Sequence, residues 1–249
     1  MSFRENNSQI HKHGMTPPDN AKTYDPDLFY RKKFLLSIII PATFVFLMWF
    51  VKITEILFEA DFSFLGIYPL SLKGLPGILF SPFIHGDFKH LYSNTIPLLF
   101  LGTVLFYFYS EPALKIWFWN YFLTGFLVWL TGRAAWHIGA SGLVYGLTAF
   151  LFFSGIIRRY YRLAALSLLV VFLYGSMVWG MFPGFYRDVS WESHMMGFLS
   201  GIILAIYYRH EGPQRPVYKW LEEEEELNET EPFSDNNEND TDKKLLENF

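Results

Sequence analysis

Long apolar stretches, separated by short polar segments, dominate the chain between residues 34 and 208. A helix needs roughly 20 apolar residues to cross the hydrocarbon core of a bilayer, and lipid offers the backbone no hydrogen-bond partner outside its own helix. We therefore predict an all-α integral membrane protein, a bundle of six membrane-spanning helices. The spans are Phe34–Val51, Leu91–Ser110, Ile116–Gly132, Ile138–Ile157, Leu163–Tyr186 and about Val189–Tyr208.

The segments outside these spans have different compositions. The nearly forty residues from Lys52 to His90 are rich in Phe, Leu and Ile, but Gly and Pro interrupt every apolar stretch. None is long enough to cross, so we predict a long membrane-associated loop between the first two helices. The chain then divides into a polar N-terminal segment (1–33), a six-span membrane domain (34–210) and an acidic tail (211–249), which we predict to be disordered.

Composition supports this division and excludes several classes of protein. The 249 residues are 51% hydrophobic and only 18% charged, with no Cys. Cys-ligated zinc, iron–sulfur clusters and thiolate nucleophiles are thereby excluded. Twelve of the 24 acidic residues lie between Glu222 and Glu247, so the net charge of -4 combines -10 for residues 221–249 with +6 for the largely apolar core formed by the other 220 residues. Such a core disfavours a soluble globular fold.

Basic residues near the spans predict the orientation. Nine lie on the side that carries both termini, and five lie on the opposite side. By the positive-inside rule both termini are expected in the cytoplasm, with the protein in the plasma (inner) membrane.

The few polar residues within the spans lie at one level. Ionisable and amide groups at membrane depth usually face the bundle interior or a water-filled cavity. Spans two, four and six run in the same direction, and their first turns carry His90 and Asn94, Ser141, and His194. This coincidence on three helices indicates a site more strongly than any one of these residues does.

Glycines predict how two of these helices meet. Gly142 and Gly146 on span four, and Gly197 and Gly201 on span six, form small-xxx-small patterns that allow close approach of helix backbones. If the two grooves pack together, Ser141 and His194 come within reach of each other. Tyr145, one turn after Ser141 on the same face, then lies where its ring can stack on the imidazole.

A serine and a histidine in this arrangement suit nucleophilic acyl transfer. A serine hydroxyl needs a neighbouring base to take its proton, and neutral His is the usual base. The oxyanion requires donors, which the Ser141 N–H, His90 and Asn94 can supply. No carboxylate has suitable spacing from His194, apart from Glu192, which lies two residues earlier and on the opposite face of the helix. We therefore expect a Ser–His dyad without an acidic third member and without a metal or cofactor.

Three motifs in the order H-x-x-x-x-H-x-x-x-N, G-x-S-G and H-x-x-G-x-x-x-G resemble the signature of the rhomboid intramembrane serine proteases. The resemblance covers about Gly66 to Tyr208 and implies that Ser141 is the nucleophile and His194 the general base, in an endopeptidase that cleaves single-span membrane proteins within or near their span. The residues to which it assigns other roles are His90 and Asn94 in the oxyanion site, His85 supporting the external loop, Tyr145 packing on the imidazole, Gly139 and Gly142 shaping the turn around the serine, and Gly197 and Gly201 on the last helix.

The sequence departs from the family pattern in one place and leaves one alternative. Many members carry Trp-Arg in the first external loop, whereas this loop reads Lys73-Gly-Leu-Pro-Gly-Ile. The sequence lacks H-E-x-x-H, paired intramembrane Asp residues and internal repeats, which disfavours metalloprotease, aspartyl protease and transporter functions. The remaining alternative is an inactive rhomboid-like protein that binds membrane-protein clients. Expected partners are transmembrane substrates and lipids, not nucleic acid.

Overall fold

The computed structural model describes residues 25–173, 179–184 and 190–213, and within these ranges the chain is helical. The α-helices there are α1 (Pro26–Leu57), α2 (Gly77–Phe80), α3 (Phe88–Tyr109), α4 (Ala113–Thr131), α5 (Ser141–Ile157), α6 (Tyr161–Leu173) and α7 (Trp191–Tyr207). The described ranges contain no β-strand, but Ile67 and His137 form an isolated antiparallel β-bridge. The prediction of an all-α fold is confirmed for this part of the chain.

Three of these helices, α1, α3 and α4, are long and apolar enough to cross a membrane. Helices α5 and α6 are apolar but shorter as described. Each predicted span overlaps one of these α-helices, which fits the predicted architecture, while the number of six crossings stays a prediction.

Helix α5 lies at the centre of the bundle. It packs against α3, α4, α6 and α7, and every residue from Ser141 to Leu151 is buried. A helix that is apolar all round is suited to such a position, because no side of it needs to face water. The helix that begins at Ser141 is therefore held on all sides by the rest of the fold.

Two predicted span boundaries were wrong. Helix α5 begins at Ser141 and not at Ile138, because Gly139 has φ +102°, a left-handed conformation that cannot belong to the helix. The fifth span was predicted to continue to Tyr186, but the described residues 180–184 form turns. Pro183 and Gly184, the latter with φ +88°, explain why helix does not continue there.

The loop between α1 and α3 is held against α4. It contains the short 3-10 helices Ser63–Leu65, Leu72–Gly74 and Ser81–Phe83 as well as α2. The Trp129 indole donates to Ser71 O at 3.0 Å, and the Tyr121 hydroxyl donates to Leu79 O. Phe64, Leu70 and Leu72 remain more than half exposed, as membrane contact by this loop would require.

At the N-terminal end, α1 begins at Pro26, within the predicted polar segment 1–33. Asp25 caps α1 by accepting from the Asp27 and Leu28 amides at 3.0 and 3.3 Å. The rest of that segment, 1–24, and the predicted disordered tail beyond residue 213 lie outside the described residues.

Candidate active site

Ser141 is the first residue of α5. Its side chain is buried, and its hydroxyl makes no hydrogen bond to the described residues. The preceding Ala140 has no side chain that can cap the helix. Other hydroxyls in the bundle donate to the carbonyl one turn earlier, as Thr148 does to Val144 O at 2.9 Å and Thr95 to Leu91 O at 2.9 Å. Within the described structure the Ser141 hydroxyl makes no hydrogen bond, so it serves neither as a cap nor as a back-bonding group.

His194 lies in the first turn of α7 with one ring nitrogen fixed. Its Nδ1 is 2.8 Å from Gly180 O. A carbonyl oxygen can only accept, so Nδ1 carries the proton and, in the neutral ring, Nε2 keeps its lone pair. A backbone carbonyl thus selects the imidazole tautomer that a carboxylate selects in a catalytic triad.

Tyr145 holds the same imidazole from one face. The Tyr145 and His194 rings are stacked, with centroids 4.2 Å apart and planes inclined by 12°. The position of Tyr145 one turn after Ser141 predicts this contact. Together with the hydrogen bond to Gly180, the stack leaves the ring little freedom to rotate.

Helices α5 and α7 approach so closely that their backbones touch. A Cβ atom placed on Gly197 would lie 2.0 Å from Gly142 O, and one placed on Gly201 would lie 2.2 Å from Gly146 O. These distances allow no side chain, and the two glycine grooves pack on each other as their spacing predicts. The N-terminal turns that carry Ser141 and His194 are therefore adjacent.

The two side chains are not directly joined. Among the described residues no hydrogen bond links Ser141 Oγ to His194 Nε2. Catalytic hydrogen bonds are often long or poorly aligned without substrate and tighten in the complex. The arrangement supplies a free hydroxyl and a free imidazole nitrogen on neighbouring helix turns.

His90 and Asn94 on α3 lie against the chain that leads into Ser141. Asp87 caps this helix by accepting from the His90 amide at 2.7 Å. A Cβ on Gly139 would lie 2.6 Å from the His90 ring and 3.7 Å from Asn94 Nδ2. Gly139 is therefore required both for its φ and for its lack of a side chain. The structure thus brings α3, α5 and α7 together at their N-terminal ends.

Asn94 offers a hydrogen-bond donor beside Gly139, two residues before the serine. It is 4% exposed, and its Nδ2 atom has no partner in the described part of the chain. Buried amide donors are normally paired, so an unpaired one needs an explanation. An oxyanion formed at Ser141 is a chemically suitable acceptor.

His85 lies behind His90 and makes no contact with the serine that the structure records. Its ring centroid is 5.0 Å from that of His90, and its Nδ1 is 3.4 Å from Phe83 O. Burial lowers the pKa of His85 to about 3, so the ring is neutral. Lys52 Nζ donates to His85 O and Gly86 O at 2.9 and 3.0 Å, which holds this segment against α1.

Two features of the site were missed from the sequence. The Gly180 carbonyl is a backbone group, so no residue type signals its role. Glu192, judged from helix spacing to face away from His194, is buried beside Arg133 of the loop between α4 and α5. His137 of the same loop is also buried and hydrogen-bonded to Ser190.

Comparison with known proteins identifies the family. Residues 74–211 match the rhomboid domain. The chain is 35% identical over 185 residues to an uncharacterized protein of Mycobacterium tuberculosis, covering 70% of this chain and 75% of that relative. It is 31% identical over 216 residues to an uncharacterized protein of Mycobacterium leprae, covering 81% and 83% respectively.

The protein therefore belongs to the rhomboid family, a family of intramembrane proteases, and it is an integral membrane protein. The resemblance noted in the sequence is confirmed at the level of the family. The similar proteins are themselves uncharacterized and assign no activity to it.

Proposed function

We propose that the chain is an intramembrane serine endopeptidase in which Ser141 is the nucleophile and His194 the general base. The observation that carries this proposal is the proximity of a buried serine hydroxyl, which makes no hydrogen bond to any described residue, to an imidazole whose Nδ1 is hydrogen-bonded to Gly180 O. A structural serine at a helix start would use its hydroxyl as a cap. A structural histidine would have both ring nitrogens satisfied, as His137 does.

In the acylation step, Ser141 Oγ attacks the carbonyl carbon of the scissile peptide bond. His194 Nε2 takes the hydroxyl proton as the C–O bond forms, and the Nδ1–H···O=C bond to Gly180 stabilises the resulting imidazolium. The same proton then passes to the leaving amine as the C–N bond breaks. The product is an acyl ester on Ser141 and a free amino terminus.

The negative charge on the tetrahedral oxygen requires donors. Ser141 occupies the first position of α5, where a backbone N–H has no partner within the helix and the helix dipole favours an anion. Asn94 Nδ2 is the second donor, and His90 lies beside it. Water activated by His194 then hydrolyses the ester and restores the serine.

The depth of the site within the bundle supports a membrane protein as the substrate. Ser141, His194 and Asn94 lie in the first turns of helices whose remaining length is apolar, so the substrate bond is brought below the bilayer surface. As the resemblance to the rhomboid proteases implies, the substrates in this proposal are single-span proteins. Because a peptide bond in an intact helix hides its carbonyl, their helix has to unwind readily near the cleaved bond. The site opens to the outer face, with both termini cytoplasmic.

Coexpression with a tagged single-span substrate tests the proposal. Ser141→Ala and His194→Ala should each abolish cleavage, while Ser167→Ala, which alters a buried serine bonded to Ala164 O, should leave it intact. A fluorophosphonate probe should label the native chain but not Ser141→Ala. Cleavage that survives either dyad substitution would refute the assignment.

The second candidate is a rhomboid-like protein that binds membrane clients without cutting them. The lack of a Ser141–His194 hydrogen bond in the described structure is the observation that favours it. The same experiment separates the two, because a client-binding protein would coprecipitate the substrate uncut and would not react with the fluorophosphonate.

A further inference from the structure

Glu192 is a buried carboxylate two residues before His194. It is 3% exposed, and neither of its oxygens has a hydrogen-bond partner among the described residues. Its oxygen Oε1 lies 3.4 Å from Arg133 Nη1, an ion pair whose geometry falls short of a hydrogen bond. An acid in the first turn of a helix is favoured by the dipole, but the dipole alone gives no reason for burial. A buried carboxylate requires a compensating charge, and Arg133 supplies it.

Arg133 belongs to the loop 132–140, which joins α4 to α5 and leads directly into Ser141. The ion pair therefore connects the segment before the nucleophile to the helix turn that carries the base. Since its carboxylate is shielded from water, the pair is less screened than a surface ion pair.

His137 provides a second connection between the same two segments. Its Nε2 lies 3.0 Å from Arg133 O and its Nδ1 lies 2.6 Å from Ser190 Oγ. The carbonyl can only accept, so Nε2–H donates to it and the Ser190 hydroxyl donates to Nδ1. Burial lowers the pKa of His137, which favours this neutral form.

Ser190 links this hydrogen-bonded segment to α7. Its Oγ accepts from the Ser193 amide at 3.3 Å and thereby caps the helix, and it lies 2.7 Å from Ser193 Oγ. The Ser193 carbonyl in turn lies beside Gly142, where a Cβ would be 3.1 Å from it. Arg133, His137, Ser190 and Glu192, named here the clasp, thus hold the start of α5 and the start of α7 in register.

We propose that the clasp positions Ser141 relative to His194 by fixing the loop 132–140 against the first turn of α7. Arg133, His137 and Glu192 are positioning residues in this proposal, because none of them contacts the reacting atoms. The inference rests on the proposed dyad. A displacement of about 1 Å between reacting groups can lower a rate on the order of a hundredfold, so a rigid link this close to both residues is expected to affect turnover more than substrate binding.

The test compares Arg133→Gln, Glu192→Gln and the double variant in the purified full-length chain in lipid nanodiscs. The rate of fluorophosphonate labelling at Ser141 and the kcat and KM for a single-span substrate are measured. Arg133→Gln should lower the labelling rate and kcat about tenfold or more with KM nearly unchanged, because Glu192 is left buried and unpaired. The double variant should recover part of the loss, because no buried carboxylate is then left without a compensating charge.

Lys89→Gln is the matched control, since Lys89 is an exposed cation near the same end of the bundle. In this variant the fluorophosphonate should label Ser141 at the native rate. His137→Phe keeps an aromatic ring but removes both hydrogen bonds, and it should lower the labelling rate several-fold. If Arg133→Gln lowers thermal stability while its folded fraction labels at the native rate, the clasp has only a structural role and the proposal is overturned.

Amide hydrogen exchange at residues 139–142 gives a readout that does not depend on activity. Arg133→Gln should exchange faster there than the native chain, and the double variant should return towards the native rate. A native chain that does not react with the probe contradicts the proposed function. Unchanged exchange in Arg133→Gln contradicts the clasp, whether or not the chain is an active protease.

Discussion

The imidazole of His194 is stacked on the phenol ring of Tyr145, with the ring centroids 4.2 Å apart and the planes 12° from parallel. Each ring comes from a different helix, so the stack joins the first turn of α7 to the second turn of α5. With the Gly180 carbonyl on Nδ1, the imidazole is held on one face and at one edge. The proposed base therefore has a defined orientation without a carboxylate partner among the residues that the structure describes.

Removal of this stack should slow turnover. Tyr145→Ala should lower kcat, and Tyr145→Phe, which keeps the ring, should lower it less. Aromatic pairs contribute about 0.5–1.5 kcal/mol beyond their buried area, which corresponds to a decrease of roughly two- to tenfold. Cleavage kinetics on one tagged substrate measure the effect. Equal kcat values for the Ala and Phe variants would show that the ring does not orient the base.

The backbone contact between α5 and α7 should make Gly201 intolerant of substitution. In Gly201→Ala the new Cβ would meet Gly146 O at 2.2 Å, so the helices must separate. We expect destabilisation of about 1–3 kcal/mol, as for overpacked cores, measured as a lower midpoint of unfolding in SDS. Gly86→Ala is the control, because no atom lies within 4 Å of a Cβ there. Similar midpoints for the two variants would contradict the close packing.

Local patterns in the sequence predicted the helices and the residues on their facing surfaces. Apolar length located the spans, and glycine spacing placed α5 against α7, because each signal is contained within one helix. The end of the fifth span and the start of α5 were placed wrongly, since apolar length alone does not report the turns at 180–184 or the positive φ of Gly139.

Contacts between distant segments could not be predicted in the same way. Arg133 and Glu192 are far apart in the sequence and meet only because α4, α5 and α7 pack together. Helix periodicity assigned Glu192 to a face away from His194, but it could not show that this face is covered by the loop 132–140.

Arg158 should stabilise the opposite end of the bundle. Its guanidinium donates to Ser154 Oγ at 3.0 Å and to the carbonyls of Tyr208 and Glu211, which follow α7. Arg158→Ala leaves these acceptors unpaired and should cost roughly 2–3 kcal/mol of unfolding free energy. Arg158→Lys should recover only part of this, because an ammonium cannot reproduce the planar fork.

The adjacent Arg159 is exposed and serves as the control for this prediction. Arg159→Ala should unfold in SDS within about 0.5 kcal/mol of the native chain. If Arg158→Ala lowers the free energy of unfolding as little as Arg159→Ala does, the guanidinium does not hold the end of α7.

His85 should make the stability of the fold depend on pH. Burial is the main cause of its low pKa of about 3, and the nearby charges are those of His90, Lys52 and Asp87. The unfolded chain binds a proton near pH 6.5 and the folded chain only near pH 3, so the unfolded state gains protons first as the pH falls. Stability is therefore expected to be full above about pH 6.5 and to decrease between pH 6.5 and 3, by at most about 1.4 kcal/mol per pH unit.

SDS unfolding from pH 7.5 to 4.5 measures this dependence of stability on pH, whose slope should be reduced in His85→Asn. His137→Asn should reduce it as well, because burial also lowers the pKa of His137. An identical slope in the native chain and His85→Asn would show that His85 is protonated as readily in the folded state as in the unfolded one.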